Sequence, residues 1–143
     1  MKGGTLFSPF LLYFSRIMER YTFEKEERLC SRIIIEKLFT EGKSFLSYPL
    51  KVVLLKTPID CPFPAQSSFS VSKRNFKKAV HRNLIKRRMR EAFRLNKNDF
   101  YEKLKTENIQ FAIMFIFVGK EILDYQEIEK GMKGAMRKIL KNV

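Results

Sequence analysis

From Lys73 to Arg94 the chain runs KRNFKKAVHRNLIKRRMREAFR, 22 residues without Gly or Pro, with ten Lys or Arg against one acid, Glu91. No other stretch limits the fold as much. Unpaired cations cannot be buried cheaply, so one side of this segment must stay on solvent or on a polyanion. Leu, Met, Ala, Arg, Lys and Glu dominate it, all good helix formers, and they predict one helix over about Lys77–Leu95. At about 100° per residue, Arg82, Asn83, Lys86, Arg87, Arg90 and Arg94 fall within an arc of about 140°. Leu84, Ile85, Met89 and Ala92 fall on the other side, with Arg88 among them. One face is polycationic and the other can pack on a core.

The segment holds +9 of the formal +14, while the remaining 121 residues carry nineteen basic and fourteen acidic side chains. A face that serves solubility mixes signs and adds Glu–Lys pairs. This one does not, and its self-repulsion asks for an anionic partner. Arginine's planar fork pairs with phosphate through two hydrogen bonds and stacks on bases. Asn83 offers a donor and an acceptor, suited to a base edge or to holding an arginine. Nucleic acid is the partner these residues point to. RNA is favoured, and a DNA-reading helix stays open at this point. A membrane is disfavoured: the longest apolar run, Phe111–Val118, is eight residues, against the roughly 20 a span needs.

The rest of the chain reads as one domain with a packed core, 45% hydrophobic with 14 Phe. Glu24–Glu41 is expected to be a short helix with Ile33, Ile34, Ile35 and Leu38 on its apolar side, ended by Gly42. Leu50–Leu55 is strand-like, with an extra strand at Phe45–Tyr48 that pairs before it or merges with it. Pro58–Pro64 is a loop. Ser67–Ser72 suits a half-buried strand, and Ile109–Val118 a strand buried on both faces, broken by Gly119. Tyr125–Leu140 is a last helix, with Ile128, Met132, Ala135, Met136 and Ile139 on one side. The order predicts an α+β fold, one sheet with helices packed on it. Residues 1–20 are read as a disordered extension or an upstream start, with Met18 offering a later one, and residues 21–143 as the domain. Their apolar stretch is interrupted by Pro9 and lacks an A-x-A site, so a signal peptide is disfavoured.

No residue set reads as catalytic. Asp60, Asp99 and Asp124 are scattered, Glu24, Glu26 and Glu27 sit at one expected helix start, and His81 is the one His. There is no Gly-rich phosphate loop and no nucleophile elbow. Cys30 and Cys61 show no metal spacing and are read as reduced thiols of a cytoplasmic protein.

The run Ala79–Arg94 resembles the signature helix of the bacterial ribonuclease P protein subunit. That pattern has Ala-Val, then Arg-Asn, Lys-Arg two residues on and Arg-Glu two further. Ala79-Val80, Arg82-Asn83, Lys86-Arg87 and Arg90-Glu91 fill it. Ser70-Val71-Ser72-Lys73 is similar to the strand that leads in, and Arg28-Leu29, Phe39 and Gly42 to the first helix and its turn. The resemblance covers about Tyr21–Leu140. It departs at Ile35, where the family often has an aromatic, and at Arg74–Lys77, where many members have Gly and a shorter link.

The resemblance implies a two-layer αβββαβα sandwich, ribosomal-protein-domain-like, with a left-handed βαβ crossover around the signature helix. It implies a noncatalytic subunit of the ribonucleoprotein that cleaves the 5′ leader from precursor tRNA, with the RNA subunit carrying the active site and its Mg2+. The protein itself would hold no cofactor or metal. Its partners would be the catalytic RNA and the leader, not a membrane and not DNA. Arg82, Asn83, Lys86, Arg87 and Arg90 would contact the catalytic RNA, with Lys73, Arg74 and Arg94 as outlying phosphate contacts. Phe39, Ile35, Ser70 and Phe69 would line a leader cleft between the first helix and the sheet, with Tyr48 as a further aromatic. The alternatives are a structural, ribosomal-type RNA-binding protein, a helix-turn-helix DNA binder, and a self-sufficient nuclease, for which metal ligands are missing.

Overall fold

A computed structural model describes residues 23–141, so the expected extension at residues 1–20 lies outside the described residues. A 3-10 turn at Lys25–Glu27 is followed by α1 (Arg32–Glu41), β1 (Lys43–Ser47), β2 (Leu50–Lys56), β3 (Ala65–Val71), α2 (Ala79–Thr106), β4 (Phe111–Phe117) and α3 (Tyr125–Lys141). This is the expected α+β order. One mixed sheet runs β1-β2-β4-β3, with β2 antiparallel to both β1 and β4, and β3 parallel to β4. The extra strand before Leu50 is therefore a separate one, β1.

Central β4 is buried on both faces because its alternate residues serve two cores. Phe111, Ile113, Phe115 and Phe117 face α2 and α3, joined by Leu50, Val52 and Leu54 of β2 and by Ile85, Met89, Phe93, Ile128, Met132 and Ile139 of the helices. Ala112 and Met114 face the other way, against Leu38 of α1 and Val53 of β2. The sheet and the α2–α3 layer thus form the main sandwich, and short α1 packs on the opposite face. Phe93 touches Phe69 and Phe115 at ring-centroid distances of 5.9 and 5.6 Å. Burying each such ring contributes about 1.5–3 kcal/mol.

Two expected boundaries move. The first helix does not begin at Glu24. Glu24 and Glu27 cap each other around the single turn. The chain then pairs with the outer edge of β3, where Leu29 N–H donates to Ser67 O at 3.0 Å and Arg28 bridges Ser67. A helix cannot run through residues held in that extended pairing, so α1 starts afresh at Ser31, whose Oγ accepts from Ile34 N–H. Gly42 ends it as expected. Its φ of −72° suits any residue, but a Cβ there would stand 2.2 Å from Leu38 O.

The basic helix does not stop at Leu95. It continues to Thr106, 28 residues in all, about 42 Å at 1.5 Å per residue. Asn96 and Asn98 look like terminators by propensity, but the apolar stripe carries on through Phe100, Tyr101 and Leu104, all buried. Asn96 is used as a fastener: its Nδ2 donates to Ala92 O and to Glu129 Oε2 of α3. Tyr125 OH donates to the same Glu129 oxygen. The hydrogen bonds from Asn96 and Tyr125 lower the Glu129 carboxyl below its ordinary value.

The Pro58–Pro64 loop is held by one side chain. Gln110 Oε1 accepts from Ile59 N–H, and its Nε2 donates to Cys61 O and Phe63 O. Cys30 is exposed and Cys61 half-buried, both free thiols.

Candidate nucleic-acid interface

Helix α2 leaves the sheet through a fixed turn. Phe76 N–H donates to Ser72 O, Arg74 N–H donates to Ser72 Oγ, and the Phe76 ring is buried 5.8 Å from that of Phe117. Lys73 and Arg74 are exposed on this turn. Ile85, Met89, Ala92 and Phe93 then bury one side of the helix. The opposite side presents Ala79, Val80, Asn83, Arg87 and Arg90, all exposed, with Lys86 half-buried beside them. The structure therefore gathers Asn83, Lys86, Arg87 and Arg90 on one solvent-facing strip, with Lys73 and Arg74 just before it. Val80, 74% exposed, joins that strip as an apolar contact.

Three arginines have internal work. Arg82 Nη1 donates to Phe76 O and Lys77 O, both at 2.8 Å, and so caps the turn before the helix. Arg94 pairs with Glu91, and that hydrogen bond raises its guanidinium above the ordinary value. Arg88, which fell among the apolar positions, reaches out to donate to Leu123 O in the β4–α3 connection. The partners of Arg82 and Arg88 are carbonyls, which no sequence pattern shows.

Electrostatics at the start of α2 are unfavourable for an isolated protein. Its N-cap is Lys78, with no side-chain cap, and its first turn holds no acid. The positive end of a helix dipole favours anions, not cations. An anion laid along Lys77, Lys78, Asn83 and Arg87 relieves both the dipole and the mutual repulsion.

The second surface lies on the α1 side of the sheet. There α1 covers β2 and β4: Ile34, Ile35 and Leu38 pack with Val53, Leu55, Ala112, Met114 and Ile116. β3 is left open on that side, and Ser68 and Ser70 stand half-buried on it. Ile35 is half-buried in the small cluster, and Phe39, one turn later on the same side of α1, is 58% exposed. Phe69 does not belong with them. Neighbours in a strand point to opposite faces, and its ring stacks on Phe115 at 5.6 Å and 11° on the α2 side. Phe69 is partly buried against the main core, on the face of the sheet away from Ile35 and Phe39. Ser68, two residues from Ser70 and missed in the sequence, stands on the same side of β3 as Ser70 by the same alternation. Tyr48 is exposed in the β1–β2 turn, beyond the far end of β1 from α1.

Among the described residues no three His, Cys, Asp or Glu side chains gather as metal ligands, and no helix is long and apolar enough to cross a membrane. Because α2 lies between two strands, the helix-turn-helix reading loses its premise, a preceding helix joined by a short turn.

Because Arg82 holds the turn, it should behave unlike its exposed neighbours. Arg82→Ala removes the donor to both carbonyls and is expected to lower stability by about 1 kcal/mol, measured by urea unfolding. Arg87→Ala should leave the urea midpoint in place.

The family model for ribonuclease P matches residues 23–140. The ribonuclease P protein component of Porphyromonas gingivalis (strain ATCC 33277) is 37% identical over 123 residues, covering 86% of this chain and 90% of that one. That of Chlorobium phaeobacteroides is 31% identical over 128 residues, covering 82% and 88%. The solved RNase P protein from Thermotoga maritima superposes with a TM-score of 0.63 at 26% identity, over 78% of this chain and 96% of that one.

Proposed function

This chain belongs to the ribonuclease P protein family, and we propose that it serves its ribonucleoprotein as an accessory subunit, with the chemistry carried out by the RNA. Membership makes it an RNA-binding component of the endoribonuclease that processes tRNA, with the RNase P RNA as its partner. The observation that carries the accessory reading is the one-sided strip on α2, where Asn83, Arg87 and Arg90 stand exposed along one line. These groups bind phosphate; none is a metal ligand set or an activated nucleophile.

The physical task is to bring two polyanions together. Catalytic RNA and precursor tRNA repel each other, and a cationic strip held between them lowers the repulsion. It thereby reduces the Mg2+ concentration the RNA needs to bind its substrate. Asn83, Lys86, Arg87 and Arg90 take the catalytic RNA. Lys73 and Arg74 add phosphate contacts, and Arg82 contributes what its turn-capping geometry leaves free. Arg94 does so once its pairing with Glu91 yields.

The open face of β3 takes the single-stranded 5′ leader. Ser68 and Ser70 offer hydroxyls to sugar or phosphate, and Phe39 offers an exposed ring for a base to stack on. Ile35 contributes apolar contact in place of a second ring. Mg2+ in this account is held by the RNA, and the compartment is the cytoplasm.

The test is the salt dependence of binding to the catalytic RNA, read by filter binding. Five cationic phosphate contacts, from Lys73, Arg74, Lys86, Arg87 and Arg90, give a slope of log K on log salt of about −3.5 to −4.5. A slope near zero would remove the strip as the binding surface.

A further inference from the structure

Deep between α2 and the N-terminal turn sits an ion pair that the RNA strip does not use. Glu27 is fully buried and Lys97 is 3% exposed. Lys97 Nζ donates to Glu27 Oε1 at 2.5 Å and Tyr101 OH to the same oxygen at 2.7 Å, while Oε2 accepts from Glu24 N–H at 2.6 Å. The Lys97 ammonium also lies over the rings of Tyr101 and Phe23, at 5.3 and 5.8 Å. Burial draws that ammonium below its ordinary value, opposed by the hydrogen bond it donates to Glu27. Burial, reinforced by the Glu27 charge, pushes the Tyr101 hydroxyl up.

A buried pair of this kind is weak evidence for stability, since apolar residues of similar volume often do as well. It does impose geometry. One carboxylate takes two donors from α2 and one from the turn, and so ties residues 24–27 to the helix. That placement fixes the path of the residues after the turn. Gln66 Nε2 donates to Glu26 O, and Leu29 N–H donates to Ser67 O, so the chain is laid along the outer edge of β3 before it crosses to α1. Ser68 and Ser70 stand on the strand so bordered. Ile35 and Phe39 stand on the helix so launched.

We propose that Glu27, Lys97 and Tyr101 are positioning residues for the leader: they tie the RNA-binding helix to the edge strand and first helix that form the leader cleft. This inference rests on the leader reading above. The pair acts through placement of Ser31 and α1 and touches no RNA itself. Leader recognition and catalytic-RNA binding are then separable, although α2 takes part in both.

The test is made in holoenzyme reconstituted from the full chain and its catalytic RNA. The variant is Glu27→Leu with Lys97→Met, which removes both charges and leaves no carboxylate stranded. Cleavage of precursor tRNA with a long leader is compared with that of a substrate carrying a single leader nucleotide. The long-to-short ratio of kcat/KM is expected to fall about tenfold, through KM. Affinity for the catalytic RNA should stay within about twofold. Amide exchange should quicken at Glu24–Leu29 while β2 and β4 stay protected. Glu27→Gln keeps one oxygen for Lys97 and Tyr101 but puts an NH2 group, a donor, where Glu24 N–H needs an acceptor; with one of the three ties lost, it should show a smaller fall of the same kind. A folded variant with the wild-type ratio overturns the proposal, as does a ratio that falls only in step with RNA affinity. A wild-type protein that shows no preference for the longer leader sinks the leader reading itself, and that result is visible before any variant is made.

Discussion

Replacing Arg87 and Arg90 together by Ala should weaken binding to the catalytic RNA about thirtyfold at moderate salt, taking about 1 kcal/mol for each arginine. Both side chains are exposed on the strip opposite the buried Ile85–Met89–Phe93 side. Removing them therefore leaves the core untouched, and the urea midpoint should not move. The salt slope should fall as well, by about 1.4–1.8 for two phosphate contacts. Affinity and slope must change together. A loss of affinity at constant slope would mean that the arginines read bases, with the phosphate contacts placed elsewhere. No change in either would end the assignment of this face.

The largest effect on stability should come from Lys97→Met alone. It leaves the Glu27 carboxylate fully buried beside Tyr101 without its ammonium. Stranding one member of a buried pair costs about 3–5 kcal/mol, against a total of about 5–15 for a domain. The urea midpoint should drop by about 2 M. Removing both charges, as in Glu27→Leu with Lys97→Met, should recover at least half of that loss, because no charge is left buried. If the single and double variants lose the same stability, the penalty is one of packing and the charges do not compensate each other.

That pair also shows where sequence reasoning ends. Lys97 lies in a basic chain and looks like one more solvated cation, but its partner is 70 residues away. Neither residue announces burial. The polycationic side of α2 is legible because charge at helical spacing is a local property: Asn83, Arg87 and Arg90 stand exposed as the 3.6 period requires. The central strand is legible because an unbroken apolar run of its length has few other uses. The end of α2 is not, because Asn96 and Asn98 weigh against helix locally while Phe100, Tyr101 and Leu104 hold it through tertiary packing. Phe69 is a different case. The period of two already forbids Phe69 and Ser70 on one face of a strand, so the sequence already separates the two. The restart of α1 at Ser31 needs the edge pairing of Leu29 with Ser67, a contact across the chain that no local signal carries.

The cleft divides in the same way. Ser70 and Phe39 are legible in the sequence, and the structure leaves the serine half-buried and the ring exposed. Ser68 follows from Ser70 once the register of β3 on β4 is known, since Ser68 pairs with Met114 and Ser70 with Ile116 on the α1 side.

Cleavage of precursor tRNA at limiting Mg2+ tests the accessory-subunit account most directly. The full chain is assayed alone, with a bacterial catalytic RNA, and with another structured RNA in its place. Cleavage is expected only when the catalytic RNA and the protein are both present, at a rate approaching that of the RNA alone at high Mg2+. Cleavage by the protein alone, or tight RNA binding with no gain in rate, would contradict it.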